Sequence, residues 1–238
     1  VRQDPDHVVS MWIENLPNWV GARCTDPEWL ASWRAADEAA ARALDSVLGD
    51  DLNEPNVARV LAELGHETLV WTASSMPVRE VETFWPARDD APRVLAHRGA
   101  NGIDGTIAAA YGAAAATGTP VVLHLGDVAL AHDLGALLTG SRLGIELTIV
   151  LVDNAGGGIF DFLPVASQRD VFEHHVATPT GLDAEKVAAL FGLRYAAPQT
   201  LDDLRAELRQ PGLIHVRTDR AENVALHRRC WDAVRAAL

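Results

Sequence analysis

The sequence predicts an α/β fold: a doubly wound, mostly parallel sheet with helices on both faces, preceded by a short tail of another domain. Three observations carry this reading. Apolar runs at 121–125, 147–152 and 213–216 are continuous rather than alternating, as strands covered on both faces are. Segments of helical period separate them. Glycine and polar residues cluster just beyond the C-terminal ends of these runs, where open parallel sheets bind their ligands.

Residues 1–48 differ from the rest. Residues 8–13 read as a strand, but Pro5, Pro17 and Pro27 interrupt the region, and Trp12, Trp19, Trp29 and Trp33 offer apolar area with no layer of their own. From 27 to 48, Trp29, Leu30, Trp33, Ala36, Ala40, Leu44 and Leu48 recur near helical spacing. Asp26 is a good N-cap, Pro27 suits the first helical position and Gly49 is a good stop. This segment is expected to be the end of a preceding domain plus a linking helix.

From Glu54 onward, helix and strand patterns alternate. A helix at 56–64 stops at Gly65, and strands follow at 68–72 and 93–96. A small-residue helix spans 105–116, a strand runs from 121 to Asp127, and a helix covers 130–138. The strand at 146–152 is followed by a helix at 184–191, a short strand at 194–196 and a helix at 200–208. The last strand is 213–216, and a helix at 222–238 closes the chain.

The net charge of −13 argues against nucleic acid and anionic membranes as partners, because phosphate surfaces require a basic face. An anionic ligand must then be held by local devices such as a metal, a helix N-terminus or single arginines. With 48% hydrophobic residues the chain reads as globular and soluble. The low-polarity stretch at 107–125 is broken by Thr117-Gly118-Thr119-Pro120, which makes it a helix and a strand rather than a membrane span. Residues 1–5 are polar and carry no signal-peptide pattern. Cys24 and Cys230 lie far apart with no metal-ligand spacing, which suits a reducing, cytoplasmic setting.

The chemistry concentrates at two strand ends. Asp127 closes one apolar run, and Asn154-Ala155-Gly156-Gly157-Gly158 follows the next. Alone, Gly126-Asp127 reads as a strand end and helix cap. A carboxamide at matching depth on another strand changes that reading. Asp127 supplies charge, Asn154 a neutral oxygen and Gly156 a main-chain carbonyl, a ligand set for Mg2+ (or Mn2+), which keeps its remaining positions for phosphate and water. The glycines let the main chain approach such a ligand. His132 and the pair His174-His175 could serve as acid–base groups, though loop or core histidines are commoner. No GxGxxG turn, Walker lysine or GxSxG elbow is present.

These residues resemble the diphosphate-binding domain of thiamine-diphosphate enzymes. Within that group, Ser74-Ser75-Met76-Pro77-Val78-Arg79, Arg98-Gly99-Ala100-Asn101-Gly102-Ile103-Asp104-Gly105, His132-Asp133-Leu134 and Gly157 to Pro164 are similar to the 2-succinyl-5-enolpyruvyl-6-hydroxy-3-cyclohexene-1-carboxylate (SEPHCHC) synthase family of menaquinone biosynthesis. The likeness covers about residues 50–220. It implies a thiamine-diphosphate-binding fold over 49–238, with residues 1–48 ending a middle domain. It implies thiamine diphosphate and Mg2+ as cofactors, with Asp127, Asn154 and the Gly156 carbonyl on the metal and Gly126 beside them. Ile103 would be the apolar wedge beneath the cofactor, and the Gly102 carbonyl would accept from its aminopyrimidine. Ser75, Arg79 and Arg98 would hold substrate carboxylates, and Ile159, Phe160 and Leu163 would wall the pocket. An Arg pair suits a bidentate carboxylate clamp.

The substrates so implied are 2-oxoglutarate, which is decarboxylated, and isochorismate, which receives the succinyl-semialdehyde unit. The resemblance also implies an activating glutamate on a separate pyrimidine-binding domain in a homodimer or homotetramer. No such glutamate is recognisable in these residues, so a catalytic residue is not assigned and the chain alone is expected to be inactive. Departures from the family pattern are His97 before Arg98, Asp153 and Ala155 flanking Asn154, and Ala129 where a hydroxyl residue often contacts the diphosphate. Two other readings remain: a different thiamine-diphosphate enzyme, such as a 2-oxoacid decarboxylase or acetolactate synthase, and a non-catalytic phosphate- or nucleotide-binding module.

Overall fold

The computed structural model describes residues 26–97 and 102–238. The strand expected at 8–13, Cys24 and Arg98 lie outside them. Helix α1 (Pro27–Leu48) begins and ends as its caps dictate, with the Asp26 side chain accepting from the Glu28 and Trp29 amides and Gly49 closing it. Then come α2 (Glu54–Leu61), β1 (Leu69–Thr72), α3 (Met76–Phe84), β2 (Arg93–Ala96), α4 (Thr106–Thr117), β3 (Val121–Gly126), α5 (Asp127–His132) and α6 (Leu137–Leu143). The second half holds β4 (Thr148–Asp153), α7 (Arg169–Phe172), α8 (Ala184–Phe191), β5 (Tyr195–Ala196), α9 (Leu201–Glu207), β6 (Gly212–Arg217) and α10 (Arg220–Ala237).

The six strands form one sheet in the order β2-β1-β3-β4-β6-β5, with every pairing parallel. Side-chain alternation along each strand feeds two cores. Leu69, Leu123, Leu125, Ile149, Leu151 and Leu213 pack on one face against α4, α6 and α8. Val70, Val122, Val150, Val152, Ile214 and Val216 pack on the other against α2 and α9. Both faces are therefore largely apolar, which is why the strands read as near-continuous hydrophobic runs, with His124 and His215 as buried exceptions.

The short helical segments between β4 and α8, α7 among them, were not expected, and three further differences have a visible cause. The helix expected at 56–64 starts two residues earlier, because the Asn53 side chain caps the Asn56 amide and Pro55 occupies the first turn. The single helix expected at 130–138 is two helices. Asp133 leaves helical geometry and its carboxylate accepts from the Ala108 amide at 2.8 Å, capping α4, whose own N-cap is Gly105 and has no side chain to offer. Helix α3 was not expected, since Glu80 breaks the apolar pattern of the face that also buries Met76 and Phe84.

Gly140 of α6 lets that helix approach Tyr111 of α4 closely. A Cβ built on Gly140 would stand 2.4 Å from the buried Tyr111 hydroxyl. Gly140→Ala is expected to cost about 1–3 kcal/mol through overpacking, measurable as a lowered midpoint of thermal unfolding. On the outer side, the C-terminal end of α1 packs on α10 through Leu44, Val47, Leu48, Leu226 and Cys230. Trp29 and Trp33, in its first half, stay 54% and 62% exposed. Among the described residues, no helix is long and apolar enough to cross a membrane.

Candidate functional site

The chain leaves β1 toward β2 on one side and, after α4, enters β3 on the other, so the strand order reverses between β1 and β3. In open parallel sheets the crevice at such a reversal, beyond the strand C-termini, is the binding site. Three strand ends deliver side chains there: Ser74 and Ser75 after β1, Gly126 and Asp127 at the end of β3, and Asn154 after β4. They line a single cavity of about 370 Å³.

Asp127 is the first residue of α5 and is 5% exposed. Its carboxylate meets the Val128, Asp127 and Gly156 amides, yet its Oδ2 is buried without a hydrogen-bond partner. Burial, followed by the charge of Asp153, pushes this carboxyl up to about 6. Asn154 is 8% exposed. Its Nδ2 donates to Glu54 Oε1 at 2.9 Å, while its Oδ1 is buried and unpartnered. Two oxygens, one acidic and one neutral, are thus left unsatisfied at the same cavity. Buried acceptors in this state are rare and destabilising without a ligand.

The loop beyond Asn154 is shaped by close contacts. Gly156 has φ 138°, and a Cβ there would lie 2.8 Å from the Ala177 carbonyl oxygen. That carbonyl also accepts from the Gly157 amide at 2.7 Å. A Cβ on Gly158 would lie 2.8 Å from Asn154 Nδ2. On the opposite lip Ser75 adopts φ 77°, a left-handed conformation uncommon for a side-chain-bearing residue outside functional loops.

Further polar groups stand in and behind the cavity wall, and two of those lining it, Glu54 and Glu80, were not singled out by sequence reading. Glu54, 3% exposed, accepts from Asn154 and from Thr218 Oγ1, each at 2.9 Å. Burial, and then the charge of Glu80, pushes its carboxyl up to about 7. Asp153 accepts from the Ala155 amide at 3.1 Å and pairs with His215 Nε2 at 2.9 Å, whose Nδ1 meets the Tyr195 hydroxyl. The His215 hydrogen bond holds the Asp153 carboxyl below the usual range. Glu80 reaches His227 Nε2 at 2.9 Å. Glu54 opens α2 beside a proline and reads as an ordinary first-turn acid. Its partners are distant in sequence, so no local signal marks it.

Of the residues expected at the site, Ser75, Arg79, Gly102, Ile103, Gly126, Asp127, Asn154, Gly156, Ile159 and Phe160 all line the cavity. Arg79 is exposed and its Nη1 donates to the Ser75 carbonyl at 2.8 Å. Leu163 does not line it and is 49% exposed, because the helical turn Gly158–Phe162 ends just before it. His132, His174 and His175 are exposed and also lie outside the lining. Ala129 lines the cavity and offers the ligand no hydroxyl. Arg98 and Gly99 fall outside the described residues.

The thiamine pyrophosphate enzyme family, C-terminal TPP binding domain, matches residues 70–213. Three curated relatives bear the name 2-succinyl-5-enolpyruvyl-6-hydroxy-3-cyclohexene-1-carboxylate synthase. The Bacillus velezensis protein is 43% identical over 88% of this chain and 37% of its own length. The Rubrobacter xylanophilus protein is 41% identical over 95% and 42%, and the Myxococcus xanthus protein 44% identical over 99% and 43%. The chain thus spans about two-fifths of the length of these relatives. A solved structure titled as a putative thiamin diphosphate-dependent enzyme from Mycobacterium smegmatis superposes with a TM-score of 0.52 at 22% identity, covering 71% of this chain and 32% of that one, which supports the fold. With the family match spanning more than half its residues, the chain belongs to the thiamine pyrophosphate enzymes and carries their C-terminal TPP-binding domain.

Proposed function

We propose that the chain is the cofactor-binding part of a SEPHCHC synthase acting in menaquinone biosynthesis. In this reading Asp127 Oδ2, Asn154 Oδ1 and the Gly156 carbonyl hold a Mg2+ or Mn2+ ion that seats the diphosphate of thiamine diphosphate. The observation that carries the metal site is the pair of buried, unpartnered oxygens at one cavity. A carboxylate, a carboxamide and a main-chain carbonyl are hard oxygen donors, and they leave positions for phosphate and water as Mg2+ requires. Among the described residues no group of three or more His, Cys, Asp or Glu side chains could hold a metal, so a softer, all-side-chain site has no support elsewhere. The high identity to proteins of that name supports the choice within the family.

When bound, thiamine diphosphate supplies the electron sink for 2-oxoacid decarboxylation. The chain's own residues position the reactants. Ile103, packed against the sheet core and lining the cavity, supplies a firm apolar support. Ile159 and Phe160 wall the opposite side and exclude water. Arg79 at the mouth, with Arg98, would hold the carboxylates of 2-oxoglutarate and isochorismate in an otherwise strongly acidic protein. The complete enzyme would work as a cytoplasmic homodimer or homotetramer, with a pyrimidine-binding domain completing the cofactor site.

Calorimetry on the full-length protein tests this. Thiamine diphosphate should bind only with Mg2+ or Mn2+, while NAD and ATP should not compete; metal-independent NAD binding would replace the proposal with a nucleotide-binding module. Arg79→Ala should raise the KM for one of the two acids about 10–100-fold, the value of one or two charged hydrogen bonds, with cofactor affinity unchanged. An unaltered KM for both acids would favour another thiamine-diphosphate enzyme.

A further inference from the structure

We infer that Glu54 is a positioning residue that holds the Asn154 carboxamide with its oxygen, rather than its nitrogen, turned to the cation seat. The inference rests on the cation reading above. A carboxamide presents two ends of nearly equal size, and only its hydrogen bonds decide which faces a ligand. A metal needs the oxygen end. Glu54 Oε1 accepts from Asn154 Nδ2 at 2.9 Å, and the partner Oδ1 is left free. Oε1 accepts from Thr218 Oγ1 as well, which marks it as an acceptor, so turning the amide over would set the Asn154 oxygen against it where water is excluded.

Glu54 is itself fixed from several sides. Thr218 Oγ1 donates to the same Oε1 at 2.9 Å, and the Thr218 amide donates to the Asp153 carbonyl, tying the end of β6 to the end of β4. The turn before α2 is pinned by Asn56 Nδ2, which donates to the Gly49 and Asp51 carbonyls at 3.1 and 2.9 Å. Helix α2 then buries Val57, Val60 and Leu61 against the sheet. Glycine at 158 leaves the amide its place, since a Cβ there would lie 2.8 Å from Asn154 Nδ2. Outer-shell partners of this kind orient metal ligands, and their loss commonly weakens the metal 10–100-fold.

Mn2+ affinity of the full-length protein, measured by electron paramagnetic resonance with thiamine diphosphate present, gives a readout independent of turnover. Glu54→Ala should weaken Mn2+ about 10–100-fold, whereas Glu54→Gln, which keeps an acceptor oxygen at the same reach, should stay within about threefold. A purely structural glutamate would lower the melting temperature in both variants without moving the Mn2+ constant of the folded protein. Wild-type affinity in Glu54→Ala, or equal losses in both variants, would overturn the inference. Should Glu54→Ala not fold, Asn154→Asp provides the test, because it turns a donor into an acceptor facing Glu54. Its Mn2+ binding should be weak and should recover at least about tenfold when Glu54→Gln is added; no recovery would sink the idea. Absence of Mn2+ binding in the wild-type protein would instead remove the cation site itself.

Discussion

Replacing Asp127 with alanine is expected to weaken metal-dependent binding of thiamine diphosphate about 100-fold or more, while the protein keeps its fold. Asp127 is the formal negative charge among the oxygens assigned to the ion, and its free Oδ2 is the atom with most to gain from a cation. Outer-shell losses already cost up to about 100-fold, so removal of a charged ligand should reach at least that. Stability should move the other way. A buried acceptor without a partner destabilises the empty protein, and alanine removes it without opening the core, because the side chain lines a cavity. The melting temperature of the metal-free variant should therefore equal or exceed that of the wild type. Asp127→Asn keeps shape without charge and should lose most of the metal affinity too. Calorimetry with and without Mg2+, alongside thermal unfolding, separates these outcomes; tight cofactor binding by Asp127→Ala would show that the ion is held elsewhere.

The parts of this arrangement that could be read from the chain are those encoded locally. Strands β3, β4 and β6 announce themselves because both faces of the sheet are covered, which leaves few polar positions, among them the buried His124 and His215, to interrupt the runs. Helix α1 is bounded by Asp26 and Gly49, residues whose capping chemistry is visible in the sequence. Asp127 and Asn154 stand out because each follows such a strand and precedes or contains a turn. What escaped is tertiary. The break between α5 and α6 exists because Asp133 serves the N-terminus of α4, a need that belongs to a different helix. Helix α3 was hidden by Glu80, which looks wrong on an apolar face until His227 is brought to it by the fold. Glu54 was invisible for the same reason, since its contact with Asn154 joins residues 100 positions apart in the chain. The family likeness placed Leu163 on the pocket wall, but the turn Gly158–Phe162 ends just before it and leaves it 49% exposed.

The second large effect is expected at His227, whose replacement by alanine should cost about 3–5 kcal/mol of stability. Glu80 and His227 are 1% and 4% exposed, and the imidazole Nε2 lies 2.9 Å from Glu80 Oε1. Asn223 adds a longer contact at 3.5 Å, while Glu80 Oε2 has no partner at all. The carboxylate therefore depends on His227 for its main compensation, and breaking a buried pair from one side leaves that group stranded in the interior. The imidazole is also enclosed by Phe84, Phe162 and Trp231 at ring separations of 5.0, 5.1 and 5.9 Å, so truncation opens a void as well. For a protein of this size the loss corresponds to a melting temperature lowered by about 6–20 °C. Replacing both partners, as in Glu80→Met with His227→Leu, should recover much of it, because an apolar pair strands no charge. The consequences should reach the cavity. Phe162 belongs to the same turn as Ile159 and Phe160, and Arg220 of α10 grips that turn through Asp161 and reaches Glu173 beyond it. Loosening α10 at His227 should therefore weaken substrate binding in the complete enzyme even under conditions where His227→Ala remains folded. A variant within about 1 kcal/mol of wild type would mean that the remaining contacts of α10, its apolar packing on α1 and the Arg220 ion pairs among them, hold it without His227.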